Sequence, residues 1–174
     1  MADGPFEAIV EAHHAEIHRY LRRVVSRAVE ADDLSQETFL RAFRAHRSLP
    51  ADANVRAWLF TIATNLCRNH FRSEKRRRLA MQAASEEPRG PDGGWPEGEA
   101  MFNEARGRVE KILGGLPFKQ RLAFTMRKLH DLDYDAIAAS LDCSAESARA
   151  HVFQALRKIR QGLDGLALPG AETR

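Results

Sequence analysis

The chain is poor in cysteine and has no long apolar run. Cysteine occurs twice in 174 residues, at Cys67 and Cys143, too rarely for the disulfide framework of a small secreted domain. The longest apolar-rich segment, AWLFTIATNL, is far shorter than the roughly twenty residues that cross a bilayer, and the start, MADGPFEAIVEAHH, lacks the pattern of a signal peptide. We expect a soluble cytoplasmic protein with two buried thiols and no direct membrane insertion.

Alternation typical of β-strands is also missing, whereas helical periodicity runs through most of the chain. This predicts an all-α fold of two small helical domains joined by a flexible linker. From the stop signals, helices are predicted at Pro5–Ser26, Ala31–His46, Val55–Lys75, Phe102–Leu113, Phe118–His130, Tyr134–Leu141 and Ala145–Gly162.

A change of composition separates the two domains. Residues 85–104, SEEPRGPDGGWPEGEAMFNE, contain three prolines, four glycines and six acids against one arginine, a composition typical of a linker. The predicted domains are residues 1–78 and 104–174, with the linker at 79–103. The net charge of the whole chain is only +3 because this acidic segment is balanced by a basic segment that precedes it.

The opposite charge is concentrated just before this linker, where CRNHFRSEKRRR carries six arginines and lysines in twelve residues. Wound as a helix, the segment from Val55 to Arg72 sorts into an apolar arc and a polar stripe about 21 Å long. The stripe and its basic extension consist of Trp58, Thr61, Asn65, Arg68, Asn69, Arg72, Lys75 and Arg76.

These residue types suit a nucleic-acid strand. Arginines pair with phosphates, asparagine amides read base edges, and an indole stacks on an unpaired base. The alternative interpretation is a solvated helix face followed by a basic tail. The tryptophan on the stripe favours the nucleic-acid interpretation.

A helix-turn-helix is predicted near the C-terminus in YDAIAASLDCSAESARAHVFQALRKIR. A break at Asp142–Ser144 separates a short helix from a longer one, with Ser144 as the N-cap. The outward side of the long helix combines basic and amide side chains around a small alanine, which permits close approach to a major groove; Phe153 could instead pack within its own domain. The residues on this side are Arg149, Ala150, Phe153, Gln154 and Arg157.

In this order, the motifs resemble those of sigma factors of the extracytoplasmic-function (ECF) type, a branch of the sigma-70 family. EADDLSQETFLRAFR resembles the family's polymerase-binding helix, RAWLFTIATNLCRNHFR its −10 reading helix, LPFKQR the entry to its second domain, and the helix-turn-helix its −35 reader. The resemblance spans nearly the whole chain.

The resemblance implies a bacterial cytoplasmic factor, without enzymatic activity or cofactor, that binds core RNA polymerase and directs transcription initiation at −10/−35 promoters. The stripe would bind and help to melt the −10 element, and the outward side of the last helix would bind the −35 element. Regulation by an anti-sigma factor is also implied. The implied polymerase-binding residues are Asp33, Gln36, Glu37, Phe39 and Arg41, although the same charges could simply stabilise the helix as i,i+4 pairs.

Some positions depart from the family pattern. Asn69 stands where the family commonly has an aspartate. In the second domain, Asp142 stands at the usual turn glycine, and His151 and Gln154 stand where arginines are frequent. The −35 sequence that this chain prefers is therefore open. The acidic linker either follows a path normally taken by RNA or is a disordered tether, and its composition does not distinguish the two.

Three rival functions are a zinc enzyme, a DNA-binding regulator and a membrane-surface protein. His14 and His18 have a zinc-compatible i,i+4 spacing, but Glu16 does not fit the His-Glu-x-x-His pattern and no third ligand lies nearby; we expect no metal. A DNA-binding regulator that works without polymerase would share the helix-turn-helix and leave the first domain unexplained. A membrane-surface role for the basic helix is less favoured, because its apolar arc is needed for the core.

Overall fold

The computed structural model describes residues 6–25, 27–84 and 103–164, and within them it consists of helices and turns without a β-strand. This confirms the all-α class with two helical units. The α-helices in these ranges are α1 (Phe6–Val24), α2 (Ala28–Ala45), α3 (Val55–Ala84), α4 (Asn103–Gly114), α5 (Phe118–Phe124), α6 (Tyr134–Leu141) and α7 (Ala145–Asp164).

The first unit is formed by α1, α2 and α3, which pack around a core of large side chains. Ile17, Tyr20, Leu59 and Phe60 are all at most 1% exposed. The Tyr20 hydroxyl is paired with the Thr64 hydroxyl at 2.9 Å, so this polar atom is not left unsatisfied in the core. The apolar arc predicted for α3 is the side that faces this core.

Helix α3 is longer than predicted. It begins next to Asn54, whose side-chain oxygen accepts from the Ala57 amide at 2.9 Å, and it continues to Ala84 rather than ending at Lys75. Residues 73–84 contain neither glycine nor proline and are mostly strong helix formers, so a run of basic charge did not end the helix. The predicted domain boundary at 78 therefore lies inside α3, and linker residues 85–102 lie outside the described residues.

The second unit contains α4 to α7, and its predicted helix at Phe118–His130 is divided. α5 ends at Phe124 and is followed by a π-helical segment, Thr125–Leu129. The backbone then turns at Asp131, a non-glycine residue with φ of 51°. Other predicted helix ends differ from the observed ones by about one to three residues, close to the ordinary uncertainty of helix boundaries.

The helix-turn-helix has the predicted geometry. Helix α6 spans Tyr134–Leu141 as predicted, and Asp133 caps it by accepting from the Ala136 amide at 2.7 Å. Asp142 adopts the left-handed conformation, with φ of 52° and ψ of 60°, as its place at a turn glycine requires. Ser144 caps α7 by accepting from the Ser147 amide at 3.1 Å.

The two units pack directly against each other, a feature that the sequence did not predict. Buried residues of both units, among them Phe60 and Cys67 from α3 and Met126 and Ile137 from the second unit, belong to one continuous apolar cluster. The Phe71 ring of α3 meets the Phe118 ring of α5 edge to face, with centroids 5.0 Å apart. Tertiary structure thus joins the two helical units into one body.

Candidate nucleic-acid interface

The α3 stripe is divided into a covered half and an open half. Thr61 and Arg68 are half-buried, and both reach Ser140 of α6: the two hydroxyl oxygens of Thr61 and Ser140 lie 3.1 Å apart, and Arg68 Nη2 donates to the Ser140 carbonyl at 3.2 Å. Trp58 is half-buried and packs against the apolar cluster. These three stripe residues are therefore partly covered, because α6 packs along this part of α3.

The rest of the stripe is open to solvent. Its members share an exposed position on α3 and a donor side chain suited to phosphates or base edges. They are Asn65, Asn69, Arg72, Lys75 and Arg76.

Helix α7 presents the predicted outward side. Arg149, Ala150, Phe153, Gln154 and Arg157 are all exposed. Phe153 is 68% exposed, so it does not pack within its own unit. The opposite side buries Ala148, Val152 and Ala155, whereas Leu156 is 39% exposed.

Two contacts orient polar side chains on this surface. The Arg149 guanidinium lies over the Tyr134 ring, 5.1 Å from its centroid, a favourable cation–π arrangement. Gln154 Oε1 accepts from Gln120 Nε2 at 2.7 Å. A basic group and an amide are thereby held on either side of Ala150.

A separate apolar groove lies between α1 and α2, with a volume of about 470 Å³. Of the predicted polymerase-binding residues, Phe39 is at its buried floor and Gln36 at its edge. Asp33 and Arg41 are exposed beside it, and Arg41 Nε donates to Glu37 Oε1 at 2.6 Å. The i,i+4 support considered from sequence is thus present for this pair.

Sequence reasoning missed much of the groove. Apolar side chains from both helices line it, and Leu40 and Phe43 are 44% and 56% exposed. Large apolar side chains on an exposed helix face are a recognisable signal, but their grouping depends on how α1 packs on α2. The missed lining residues are Phe6, Val10, His14, His18, Asp32, Ser35, Leu40 and Phe43.

The two histidines considered for metal binding have other contacts. Their rings stack with centroids 6.1 Å apart, and His18 Nε2 lies 2.7 Å from Asp32 Oδ1. In the described part of the chain, no three His, Cys, Asp or Glu residues are grouped so that they could hold a metal ion.

Both cysteines are free, Cys67 buried and Cys143 half-buried. Burial raises the pKa of the Cys67 thiol to about 12, which disfavours the reactive thiolate. Both thiols were predicted to be buried; this is confirmed for Cys67 and wrong for Cys143, which is only half-buried.

A partly buried polar cluster connects the two units and was also missed. Arg56 of α3 donates through Nε and Nη2 to the Glu16 carboxylate of α1, at 2.9 and 2.5 Å, and Nη2 also donates to the His130 carbonyl. His130 Nδ1 lies 3.3 Å from Glu16 Oε1. The hydrogen bonds from Arg56 lower the pKa of Glu16 against the opposing effect of burial, and burial lowers the pKa of His130 despite the nearby carboxylate.

Across residues 6–25, 27–84 and 103–164, none of the helices has the length and apolarity needed to traverse a bilayer.

Comparison with protein families identifies both units. Residues 9–77 match the family described as Sigma-70 region 2, and residues 106–159 match Sigma-70, region 4. The first match contains the α3 stripe and all of the residues that line the groove except Phe6, and the second contains α6 and most of α7.

Individual relatives are similar over most of the chain. RNA polymerase sigma-H factor of Pseudomonas aeruginosa is 29% identical over an alignment of 168 residues that covers 92% of this chain and 87% of that protein. The ECF RNA polymerase sigma-E factor of Escherichia coli K12 is 30% identical over 172 residues, covering 91% and 88%. A solved structure with a similar fold is the sigma factor RpoE in complex with the anti-sigma factor NepR from Bartonella quintana, with a TM-score of 0.68, 22% identity and coverage of 91% and 96%.

Proposed function

Because this chain belongs to the sigma-70 family, in its ECF branch, we propose that it is a sigma factor that binds core RNA polymerase and directs promoter-specific transcription initiation. The observation that carries this proposal is the presence of region 2 and region 4 in one chain, in order, at 9–77 and 106–159. A DNA-binding regulator that never joins polymerase would need the second region alone.

The second unit, residues 104–174, would bind the −35 element through α7. Arg149, Gln154 and Arg157 offer donors to guanine, adenine and phosphate groups, and Ala150 between them lets the helix enter the major groove closely. The high exposure of Phe153 suits contact with a thymine methyl.

The first unit, residues 1–78, would bind the −10 element through the α3 stripe. Unpairing a base costs a few kcal/mol, and stacking on an aromatic ring such as Trp58 contributes roughly 1–3 kcal/mol per base. Asn65 and Asn69 would select among the exposed bases. Thr61, Arg68 and Arg72, with Lys75 and Arg76, would hold the strand near its phosphates without specifying its sequence.

The α1–α2 groove would bind the polymerase. Its apolar floor at Phe39 and Leu40 and its polar edge suit an amphipathic helix laid into a groove. Asp33, Gln36, Glu37 and Arg41 would set the register of that helix by charge complementarity. The core polymerase supplies the chemistry in this scheme, so the chain itself would not be an enzyme and would act in the cytoplasm, where transcription takes place.

We extend the proposal to an anti-sigma factor as a further partner. The RpoE structure of similar fold is a complex with such a protein, NepR. A partner of this kind would inhibit the chain by covering the groove or the DNA-binding surfaces. The linker at 79–103, whose first residues 79–84 are the end of α3, would allow the two units to reach separate promoter elements.

The deciding experiment adds the purified chain to sigma-free core polymerase with a genomic DNA library and sequences the transcripts. We expect start sites that share upstream −10 and −35 elements and that are absent without the chain. Binding to duplex DNA with no new start sites would instead identify a regulator that works without polymerase.

A further inference from the structure

We propose that Gln120 of α5 sets the base preference of Gln154 of α7, because it holds the Gln154 amide so that only the amide nitrogen faces the DNA. In that orientation Gln154 selects guanine at its position in the −35 element. The inference rests on the proposed function in one respect, namely that α7 enters the major groove of that element. The pairing of the two glutamines is independent of that assignment and is measured separately below.

The two glutamine side chains meet across the contact between α5 and α7. Gln120 is 8% exposed, and its Nε2 donates to Gln154 Oε1 at 2.7 Å. Gln154 is exposed on the outward side of α7, and the opposite side of that helix is anchored by the buried Ala148, Val152 and Ala155. A buried side chain of one helix therefore fixes the amide of an exposed side chain on the next.

The burial of Gln120 decides which way round the pair is bonded. Gln120 Oε1 is buried and has no hydrogen-bond partner among the described residues. If both amides were reversed, the Gln120 amino group would lie at that place, where no acceptor meets it. An unpaired N–H group is rarer in protein interiors than a carbonyl oxygen with unused lone pairs, and amide orientations are assigned by such accounting. The observed orientation is the less costly one, and it leaves Gln154 Nε2 for the DNA.

An amide that offers only its nitrogen reads a base differently from a free glutamine. A free glutamine pairs with adenine through both atoms, donating to N7 and accepting from the N6 amino group. Because Gln154 Oε1 is turned towards Gln120, the bond from N6 is lost. Guanine presents two acceptors and no donor on its major-groove edge, thymine presents one acceptor, and cytosine presents only a donor. Guanine is therefore the preferred base, and cytosine is the least favoured.

The surroundings of Gln154 favour the same base. A cleft of about 440 Å³ opens beside the glutamine pair, and Arg157, Lys158 and Gln161 line the rest of it. Arginine and lysine side chains carry donors and no acceptor. Neither cation can accept from the amino group of adenine or cytosine, whereas both can donate to the O6 and N7 atoms of guanine.

The glutamine pair is tested first without DNA, by nitrogen-15 NMR of the full chain. The signals of the Gln120 side-chain amide should shift in Gln154→Ala, because the hydrogen bond is lost. Gln161→Ala is the matched control, since Gln161 lines the same cleft and is exposed on α7, and it should cause a much smaller shift. Equal effects of the two substitutions would show that the pair does not form, and the inference would fail.

The base preference is then measured on the holoenzyme. The chain bound to core polymerase is offered a pool of promoter duplexes, built from one of the sequenced start sites with the −35 element randomised, and the bound duplexes are sequenced. The position that Gln154 reads is the one whose preference disappears in Gln154→Ala. We expect guanine over adenine there by about fivefold or more, the low end of what one base contact discriminates.

Two substitutions of Gln120 separate the orientation of the amide from the packing of the helices. Gln120→Leu removes the hydrogen bond, so Gln154 is free to pair with adenine, and the guanine-to-adenine ratio should fall about threefold or more. In Gln120→Glu the ionised side chain carries only acceptors, so the Gln154 amide turns round and its oxygen faces the DNA. Adenine and cytosine should then be enriched over guanine. Gln161→Leu and Gln161→Glu make the same changes elsewhere on the cleft and should leave the ratio unchanged.

The outcomes distinguish this inference from the proposed function. An unchanged ratio in both Gln120 variants would overturn the inference, and so would a preference for adenine in the unsubstituted chain. Equal changes in the Gln161 controls would also refute it, because they would assign the effect to the cleft in general. If no position of the −35 element shows a preference in the unsubstituted holoenzyme, the proposed function of α7 fails and the inference fails with it.

Discussion

At the scale of single residues, His130 has the most consequential position. Its ring is surrounded by Tyr20 and Phe60, and the charged groups that act on it are Glu16 and Arg23 from α1 and Arg56 from α3. Nothing in its sequence neighbourhood, KLHDLDY, distinguishes this histidine from the other six. Its importance comes from the partner surface on which it lies.

The packing of the two units should depend on pH through this residue. Burial lowers the pKa of His130 from its ordinary 6.5, so a form in which the units are separated binds more protons. The packing is then fully stabilised above about pH 6.5 and weakens as the pH falls through that value towards the lowered pKa.

Small-angle X-ray scattering at pH 7.5 and 5.5 provides the measurement. We expect a larger radius of gyration at the lower pH, and a smaller pH effect in His130→Gln, which cannot titrate. A radius that does not change over this range in the unsubstituted chain would contradict the expectation.

At the scale of elements, the groove between α1 and α2 is a composite surface. Sequence analysis identified Phe39 from the resemblance. The exposed Leu40 and Phe43 line a groove only because α1 supplies the opposite wall.

We expect Leu40→Asp to weaken binding to core polymerase about tenfold or more, because it places a charge in an apolar contact. Val29→Asp is the matched control, since Val29 is 64% exposed on the same helix and does not line the groove. Affinity is measured by titration of labelled chain with core polymerase. Equal losses in the two variants would exclude the groove as the docking surface.

Helix α7 carries a prediction of its own. Arg157→Ala should weaken binding to a −35 duplex chosen from the sequenced start sites, and it should make the dependence of log K on log salt concentration shallower by about 0.9, the contribution of one lost phosphate contact. Lys128→Ala, at an exposed position of the same unit away from α7, should leave the slope unchanged. Core polymerase affinity should be equal in both variants; a loss confined to Arg157→Ala would show that α7 also contacts polymerase.

At the scale of the whole molecule, the continuous apolar cluster makes the two units energetically dependent on each other. Ile137 of α6 is fully buried in the cluster that also contains Leu59 and Phe60 of α3. Truncation of such a side chain costs about 2–5 kcal/mol. The loss of stability should therefore extend to the unit that does not carry the substitution.

We expect Ile137→Ala to lower the thermal midpoint reported by Trp58 fluorescence by about 5–15 °C, although Trp58 belongs to the first unit. A Trp95→Phe background removes the other tryptophan. An unchanged Trp58 transition, with loss of helix signal at lower temperature, would mean that the units unfold independently.

The sequence by itself determined the all-α class, the helix-turn-helix with its Ser144 cap, and the family. These features depend on local propensities and on spacing within one element, which short segments carry in full. It could not determine that α3 continues to Ala84, because basic residues are compatible with helix and with linker alike.

Only the tertiary structure decided that half of the α3 stripe is covered, that α1 and α2 form a groove, and that Glu16, Arg56 and His130 meet. Residues 16 and 130 are remote in sequence, and their contact depends on the relative placement of two units that each satisfy their own helical periodicity. The residue pattern of a polar helix face is the same whether solvent, DNA or another helix lies against it, because all three can satisfy its hydrogen bonds.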